Sequence, residues 1–380
     1  MDAHVIGNNL RRLRSGKGLS QLSLSQASGL SVASIRSIEK GEAQPRARSL
    51  DALAHGLGVG LEELLTPVKP LTAVRFRSNK RLHQRAEVLA RASRWLNNYL
   101  ELEELLGQPL GCQLDLSGHD VQQYSGEPLQ AARHLRKLMS LDFKEPIHDI
   151  WGLLEARGIR LFASPMASEG FFGLSIAASD GGPAIVVNTW ERIPVERWIF
   201  TAAHELGHLV LHQGEYDASD ALEDLAQEDE ANAFASEFLM PEAAFQAEWQ
   251  EARGLSLVDR VLKVKRIFKV SYKTVLYRIQ SDHPNIWAHF YTQYKQQYGT
   301  SLANHKEPEP ADPNAFGTEA PARRSVKEPQ SLQPADFRGD RLAALVRQAL
   351  ESGEISLSRA GEILGFPIGQ MRQVAQGWVA

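Results

Sequence analysis

Hydrophobic residues recur at helical spacing in the first 66 residues of the chain. Ile6, Leu10 and Leu13 form one stripe, and similar stripes follow between short breaks rich in glycine, serine and proline. This pattern predicts a series of short helices. Residues 80–107 continue with a longer amphipathic pattern, and we expect that helix to end at Gly107.

The centre of the chain mixes helical and strand patterns. IRLFAS, FFGLSIAAS and AIVVN are short, rich in β-branched and aromatic residues, and bounded by turn signals such as SDGGP. They predict three strands. An apolar helix around 194–212 follows, and EANAFASEFLMP predicts another helix that stops at Pro241. The predicted fold class is therefore mainly α with a small β-sheet, an α+β arrangement.

The amino-acid composition changes between His305 and Pro334, where proline and charged residues replace large apolar residues. This composition predicts a flexible linker. Beyond it, residues 337–380 regain helical patterning, with Ser356 as a helix N-cap. The predicted organisation is an N-terminal helical domain, a helical connecting region, a central domain, a disordered linker and a small C-terminal module that resembles a helix-turn-helix. Their bounds are 1–66, 67–140, 141–300, 301–336 and 337–380.

The amino-acid composition limits the metal ligands, binding partners and cellular locations that are compatible with the chain. The formal net charge of the 380 residues is -4, so nucleic-acid contacts require a local basic patch. Cys112 is the one cysteine, which excludes an intramolecular disulfide and leaves histidines and carboxylates as metal ligands. The N-terminus lacks the pattern of a signal peptide, and no run of 18 apolar residues occurs. We expect a cytoplasmic protein without a membrane segment, and a buried structural thiol at Cys112.

Residues 19–41, LSQLSLSQASGLSVASIRSIEKG, predict two helices joined at Gly29. The shared core of the two helices is predicted to consist of Leu22, Ala27, Ile35 and Ile38. This arrangement leaves Val32, Ala33, Arg36 and Ser37 on the outer face of the second helix, free to enter a major groove. Basic side chains are predicted to contact phosphates, namely Arg11, Arg12, Arg14, Lys17, Arg46 and Arg48.

The same stretch resembles the XRE or Cro/CI-like helix-turn-helix over about residues 5–65, from the opening Gln21 to the closing Glu39-Lys40-Gly41. The resemblance implies that Gln21 and Arg48 touch the DNA backbone. It also implies that four residues face the bases, namely Ser31, Val32, Ala33 and Ser37. Because valine and alanine cannot form bidentate base contacts, readout is expected to rest on Arg36, Ser37 and thymine methyl groups. The alternative is a helical interaction module that binds no DNA.

FTAAHELGHLVLH, residues 200–212, is apolar apart from three histidines, a glutamate and a threonine. His204 and His208 are four residues apart, so a helix presents them on one face. Glu205 lies about 100° further round and can reach water held on that face. This HExxH pattern predicts two zinc ligands and a glutamate that accepts a proton from water.

A third ligand is needed for a catalytic zinc site. His212 lies about 12 Å along the helix from His204, too far for all three histidines to meet one ion, so we interpret it as a supporting residue. Downstream, Glu228 is the preferred third ligand and Glu230 the alternative. Asn232, one turn after Glu228, is predicted to orient a ligand. The acids could instead form a solvated helix N-terminus.

FTAAHELGHLVLH followed by EDEANAFASEFLMP resembles the ImmA/IrrE metallopeptidase family over about residues 145–245, in a gluzincin-like arrangement. The resemblance implies that His204, His208 and Glu228 bind zinc and that Glu205 is the general base. Members of this family often carry an XRE-type reader and act on a cognate repressor under stress. AIVVN is predicted to be an edge strand that pairs with an extended substrate. Tyr216 is a candidate partner for the oxyanion.

The sequence thus predicts a DNA-binding regulator with a zinc-dependent endopeptidase domain. Its expected partners are an operator duplex and a protein substrate, a repressor or antitoxin-like regulator. Homodimerisation is expected because helix-turn-helix readers usually bind paired half-sites. The competing hypothesis is a one-component transcription factor whose peptidase-like domain is a non-catalytic sensor or dimerisation module.

Overall fold

The computed structural model divides the chain into two compact units. The first comprises Met1–Thr72 and Asn79–Leu102, and the second comprises Ala73–Ser78 and Glu103–Ala380. The residues that the structure describes are 2–78, 85–112, 114, 127–168, 170–214, 216, 224–302, 306–308 and 331–378.

The first unit is helical, as its pattern predicts. Its helices are α1 Ala3–Gly16, α2 Gln21–Ser28, α3 Val32–Glu39, α4 Ala47–Leu57, α5 Leu61–Leu65 and α6 Arg85–Leu105, the last assigned to this unit through Leu102. The side chains of Ser20 and Ser31 accept hydrogen bonds from backbone N–H groups in the first turns of α2 and α3. Gly29 ends α2 with a φ of 71°, as the predicted turn requires.

The core of the α1–α5 bundle differs from the predicted one at two positions. Ile35 and Ile38 are buried as predicted, but Leu22 is 59% exposed and Ala27 is also exposed. Leu24 takes the core position of α2 instead. Leu22 and Leu24 point in roughly opposite directions because two residues turn a helix by about 200°. The packing of α2 thus buries the face that carries Leu24.

The second unit contains a four-stranded sheet. Its strands are β1 Val74–Ser78, β2 Arg160–Ser164, β3 Phe171–Ile176 and β4 Ala184–Asn188, in the spatial order β1-β3-β4-β2. Strand β3 pairs antiparallel with β1 and β4, whereas β2 pairs parallel with β4. The three predicted strands are confirmed, and β1 is an additional one.

The prediction that AIVVN forms an edge strand is wrong. Every residue of β4 pairs with β2, and residues 184–187 also pair with β3, so β4 is central. All five of its residues are buried, which fits a strand covered on both faces. The edges of the described sheet are β1 and β2.

Helices surround this sheet. They are α7 Pro128–Leu138, α8 Ile150–Glu155, α9 Val195–Leu211, α10 Leu225–Leu239, α11 Glu242–Glu251, α12 Leu257–Phe268, α13 Tyr272–Ile279 and α14 Ile286–Tyr298. The predicted helices around 194–212 and before Pro241 correspond to α9 and α10, and both predictions are confirmed. Helix α9 contacts β3 and β4 as well as α10 and is central to the core of this unit. The fold class, mainly α with a small sheet, is also confirmed.

The C-terminal helices are α15 Arg341–Glu351, α16 Leu357–Leu364 and α17 Ile368–Trp378. Ser356 caps α16 as predicted, because its hydroxyl accepts a hydrogen bond from the backbone N–H of Arg359. Just before α15, Phe337 is buried with its ring centroid 5.0 Å from that of Trp151. Most of the predicted linker, residues 303–305 and 309–330, lies outside the described residues.

Two further sequence expectations concern exposure. Cys112 is exposed, so the prediction of a buried thiol is wrong. Its Sγ donates a hydrogen bond to the carbonyl of Leu114. Among the described residues, none of the helices has the length and hydropathy needed to cross a membrane.

Candidate metal centre and nucleic-acid interface

Helix α9 carries the HExxH residues. It begins directly after Pro194, and its residues from Thr201 to Val210 are all buried. His204, Glu205 and His208 have no measurable exposure. Such polar groups are costly to bury unless they have partners, so their surroundings decide their role.

Three side chains converge at one point. The Nε2 atoms of His204 and His208 lie 2.9 Å apart. One carboxylate oxygen of Glu228, from α10, lies 3.3 Å from the first Nε2, and the other lies 3.1 Å from the second. Ligands bound tetrahedrally at zinc distances are about 3.3 Å apart, so the spacing and chemistry of these donors fit a zinc ion.

Outer hydrogen bonds orient both imidazoles. Nδ1 of His204 lies 3.0 Å from the amide oxygen of Asn232, and Nδ1 of His208 lies 3.0 Å from Nδ1 of His212. Nε2 of His212 in turn lies 3.0 Å from a carboxylate oxygen of Glu230. With the Nδ1 protons of His204 and His208 donated outward, both Nε2 atoms carry lone pairs toward Glu228. Two lone pairs and a carboxylate in such proximity are stabilised by a cation.

The electrostatics of the cluster agree with this arrangement. Burial lowers the pKa of His208 well below its ordinary value, which favours the neutral imidazole that a metal needs. Burial acts to raise the pKa of Glu228, but the two adjacent histidine side chains, His204 and His208, together outweigh it, so the net shift is strongly downward. The carboxylate therefore stays ionised.

Close packing of α9 on α10 brings Glu228 to the histidines. Gly207 lies between them in the sequence, and a Cβ added there would come within 3.0 Å of the ring of Phe234. A larger residue at this position would force the Phe234 ring to shift. Glu230 lies two residues further along α10 and contacts His212 rather than the histidine pair.

The sheet supplies the opposite wall of the site. A Cβ added at Gly173 of β3 would lie 3.2 Å from a carboxylate oxygen of Glu205, so the strand passes close to this glutamate. Two residues on, the hydroxyl of Ser175 accepts a hydrogen bond of 3.0 Å from the hydroxyl of Tyr216. Burial raises the pKa of Tyr216, so its hydroxyl keeps its proton and can act as a donor.

The sequence patterns did not reveal Arg75, which β1 carries to this site. Its guanidinium donates a hydrogen bond to the side-chain oxygen of Gln227 and lies 3.9 Å from Glu228. The available signal was the alternation of basic and apolar residues in AVRFRSNK, which suits a strand.

In the first unit, the outer face of α3 is accessible to solvent. Ala33 and Arg36 are exposed, whereas Val32 and Ser37 are partly buried. Ser31 is exposed, but its hydroxyl already caps α3 by accepting the backbone N–H of Ser34. On the next helix, Arg48 is exposed in the first turn of α4. These residues leave a polar, solvent-facing surface of the kind that enters a groove of DNA.

Several basic residues that were predicted to contact phosphates are engaged within the unit. Arg12 forms an ion pair with Glu87, and Arg14 forms one of 2.5 Å with Glu39. The side-chain amide of Gln21 also donates to Glu39, at 2.7 Å. Glu39 is almost fully buried and thus ties α1 and α2 to the end of α3. These ion pairs compete with phosphate contacts, and contact of Arg12 and Arg14 with DNA stays a prediction.

Comparisons with known proteins find matches for both the region of the metal centre and the N-terminal helical region. Residues 154–280 match the model of peptidase family M78, described as the IrrE N-terminal-like domain, and residues 10–64 match a helix-turn-helix model. A Sinorhizobium fredii protein called "Uncharacterized HTH-type transcriptional regulator y4dJ" is 41% identical over 63 residues, which cover 17% of this chain and 82% of that protein.

Proposed function

Since the chain belongs to the helix-turn-helix family through its N-terminal region and carries an IrrE N-terminal-like domain of peptidase family M78, we propose that it is a DNA-binding transcriptional regulator with zinc-dependent endopeptidase activity. Its substrate is a protein, either a cognate repressor or an antitoxin-like regulator. One observation carries the proposal: the donor atoms of His204, His208 and Glu228 all lie within 4.8 Å of one another beside Glu205.

The histidine pair and Glu228 would hold the zinc ion. When bound, zinc supplies Lewis acidity toward a peptide carbonyl and toward water. Asn232 and His212 fix the ring orientation of the two histidines, because each accepts the outward N–H of one imidazole. This support keeps the site ordered before substrate arrives.

Glu205 is the general base of the proposed reaction. Its carboxylate is buried on the same helix as the two histidines, where it accepts a proton from the attacking water and later passes it to the leaving amine. Tyr216 is placed to donate a hydrogen bond to the oxygen that gains negative charge, because its hydroxyl stays protonated at the wall of the site. To do so, the Tyr216 hydroxyl would have to break its hydrogen bond with Ser175.

DNA binding uses the exposed face of α3 and the start of α4. Arg36 is the side chain on this face that can form bidentate contacts with a base, and Ala33 offers a methyl group to thymine. Arg48 is positioned for a phosphate. The side-chain amide nitrogen of Gln21 already donates a hydrogen bond to Glu39. Gln21 can therefore contact the DNA backbone only through the remaining atoms of its amide.

The peptidase is tested with the full-length protein purified with zinc. Wild type, Glu205→Gln and the control Asp229→Asn, which removes one exposed carboxylate from α10, are incubated with a library of peptides from a bacterial proteome. Zinc content and newly formed peptide N-termini are measured. We expect all three proteins to bind zinc and only Glu205→Gln to lose cleavage.

Retention of zinc without cleavage by wild type would favour the non-catalytic sensor instead. DNA binding is tested separately by selecting duplexes from a random library. Arg48→Ala should weaken binding to every selected duplex and reduce the slope of log affinity against log salt by about 1. Arg36→Ala should instead relax the sequence preference.

A further inference from the structure

Arg75 is a charged residue at the metal centre to which the proposed function assigns no role. It lies on β1, where its Cα is paired in register with Ser175 of β3. Paired residues in an antiparallel sheet project to the same face, so Arg75 shares the face of the Ser175–Tyr216 hydrogen bond. Its side chain is only 12% exposed.

The contacts of Arg75 converge on the proposed third ligand. One terminal nitrogen donates to the side-chain oxygen of Gln227, and the other lies 3.9 Å from Oε1 of Glu228. That same oxygen is 3.1 Å from Nε2 of His208. The guanidinium thus lies beside the carboxylate oxygen that also meets His208.

Each of the other two proposed ligands already has an outer partner. His204 donates to Asn232, and His208 donates to His212. Ligating carboxylates need such partners as much as histidines do, because a free carboxylate rotates and can bind a metal through either oxygen. Arg75 is a described group in position to serve Glu228 in this way, through an ion pair of 3.9 Å.

We propose that Arg75 is a positioning residue of the metal centre, which holds the Glu228 carboxylate in the orientation that faces His204 and His208. The assignment rests on the proposed zinc site. It extends that site to residue 75, which lies between the two matched regions, 10–64 and 154–280. The chain on either side of β1 belongs to the first unit.

Two physical effects of Arg75 oppose each other. Its positive charge repels a divalent cation, which lowers metal affinity, whereas its hold on Glu228 raises affinity by ordering a ligand. A positioning role requires the second effect to be larger. The sign of the change in metal affinity on removing the guanidinium therefore tests the proposal.

The test compares full-length wild type, Arg75→Met and Arg75→Lys. Arg133→Met is the control, because Arg133 pairs with Glu237 of the same helix α10, outside the metal centre. Zinc affinity is measured by competition with a chromophoric chelator, and the visible absorption spectrum of the cobalt-loaded protein reports ligand geometry. Outer partners of ligands typically contribute about 10–100-fold to metal affinity, so Arg75→Met should bind zinc weaker by this factor.

We expect Arg75→Lys to recover part of the affinity, Arg75→Met to change the cobalt spectrum, and Arg133→Met to match wild type. If Arg75→Met does not fold, Gln227→Leu replaces it in the test. This substitution removes the acceptor that holds the guanidinium without altering β1, and it should weaken zinc binding by a smaller factor. Unchanged or tighter binding in Arg75→Met, or in Gln227→Leu where only that variant folds, would overturn the positioning role while leaving the zinc site intact. A wild type that binds no zinc would overturn the proposed function and this assignment together.

Discussion

Nε2 of His212 lies 3.0 Å from a carboxylate oxygen of Glu230. Both residues were candidates for a place around the metal, and their contact puts them together one turn beyond the histidine pair. Because Nδ1 of His212 also meets Nδ1 of His208, the two form a chain that leads from a proposed ligand to a partly exposed carboxylate. Glu228 has the inner position instead.

The first prediction concerns these two glutamates. Glu228→Ala should abolish stoichiometric zinc binding, because the two histidines alone leave the ion with too few protein ligands. Glu230→Ala should weaken binding by less than the roughly 10–100-fold usual for a direct outer partner of a ligand, because Glu230 reaches His208 only through His212. Zinc retained after dialysis and chelator competition on both variants provide the measurement. Equal losses in the two variants would contradict the assignment.

The second prediction concerns the close approach of β3 to α9. In Gly173→Ala the added methyl group would lie 2.5 Å from a methyl carbon of Thr201 and 3.2 Å from Glu205. Overpacking of this kind costs about 1–3 kcal/mol, so the free energy of unfolding should fall by that amount and peptide cleavage should fall with it. Gly369→Ala is the control, because nothing lies within 4 Å of its added methyl group. Chemical denaturation of both variants measures the difference.

The third prediction concerns the buried carboxylate of the first unit. Glu39→Ala leaves Arg14 without its carboxylate partner, and breaking such a buried pair costs about 3–5 kcal/mol. Thermal unfolding followed by circular dichroism should show the loss. Glu42→Ala is the comparison, because its ion pair with Lys40 is solvent-exposed and should change stability by less than about 1 kcal/mol. Similar losses in the two variants would show that Glu39 is not an anchor.

The fourth prediction concerns pH. Burial raises the pKa of Glu307, whose carboxylate accepts a hydrogen bond from Ser271 and lies 3.5 Å from Lys265. A carboxyl whose folded-state pKa is raised binds more protons in the folded state than in the unfolded state. Stability therefore falls as pH rises from the ordinary glutamate value through the raised one.

Glu307→Gln removes this titration. The stability of wild type relative to Glu307→Gln should decline over that pH interval and be flat above it, as measured by urea unfolding at a series of pH values. A relative stability that rises over the interval would mean that pairing with Lys265 outweighs burial.

The sequence alone determined the features that depend on neighbouring residues. The four-residue spacing of His204 and His208 places them on one face of any helix that contains them. Ser356 caps its helix through a backbone N–H three residues away. Such local relations follow from backbone geometry, and the helix-turn-helix pattern and the strands of the central region could be predicted for the same reason.

Only the tertiary structure decided the relations between distant segments. The sequence left Glu228 and Glu230 open, because both lie near the start of α10 and only the packing of that helix on α9 selects one. It predicted β4 as an edge, because only the assembled sheet shows that β4 pairs with both β2 and β3. It gave no role to Arg75, because β1 pairs with a strand about 100 positions away. These contacts form through packing across the core, so no local pattern encodes them.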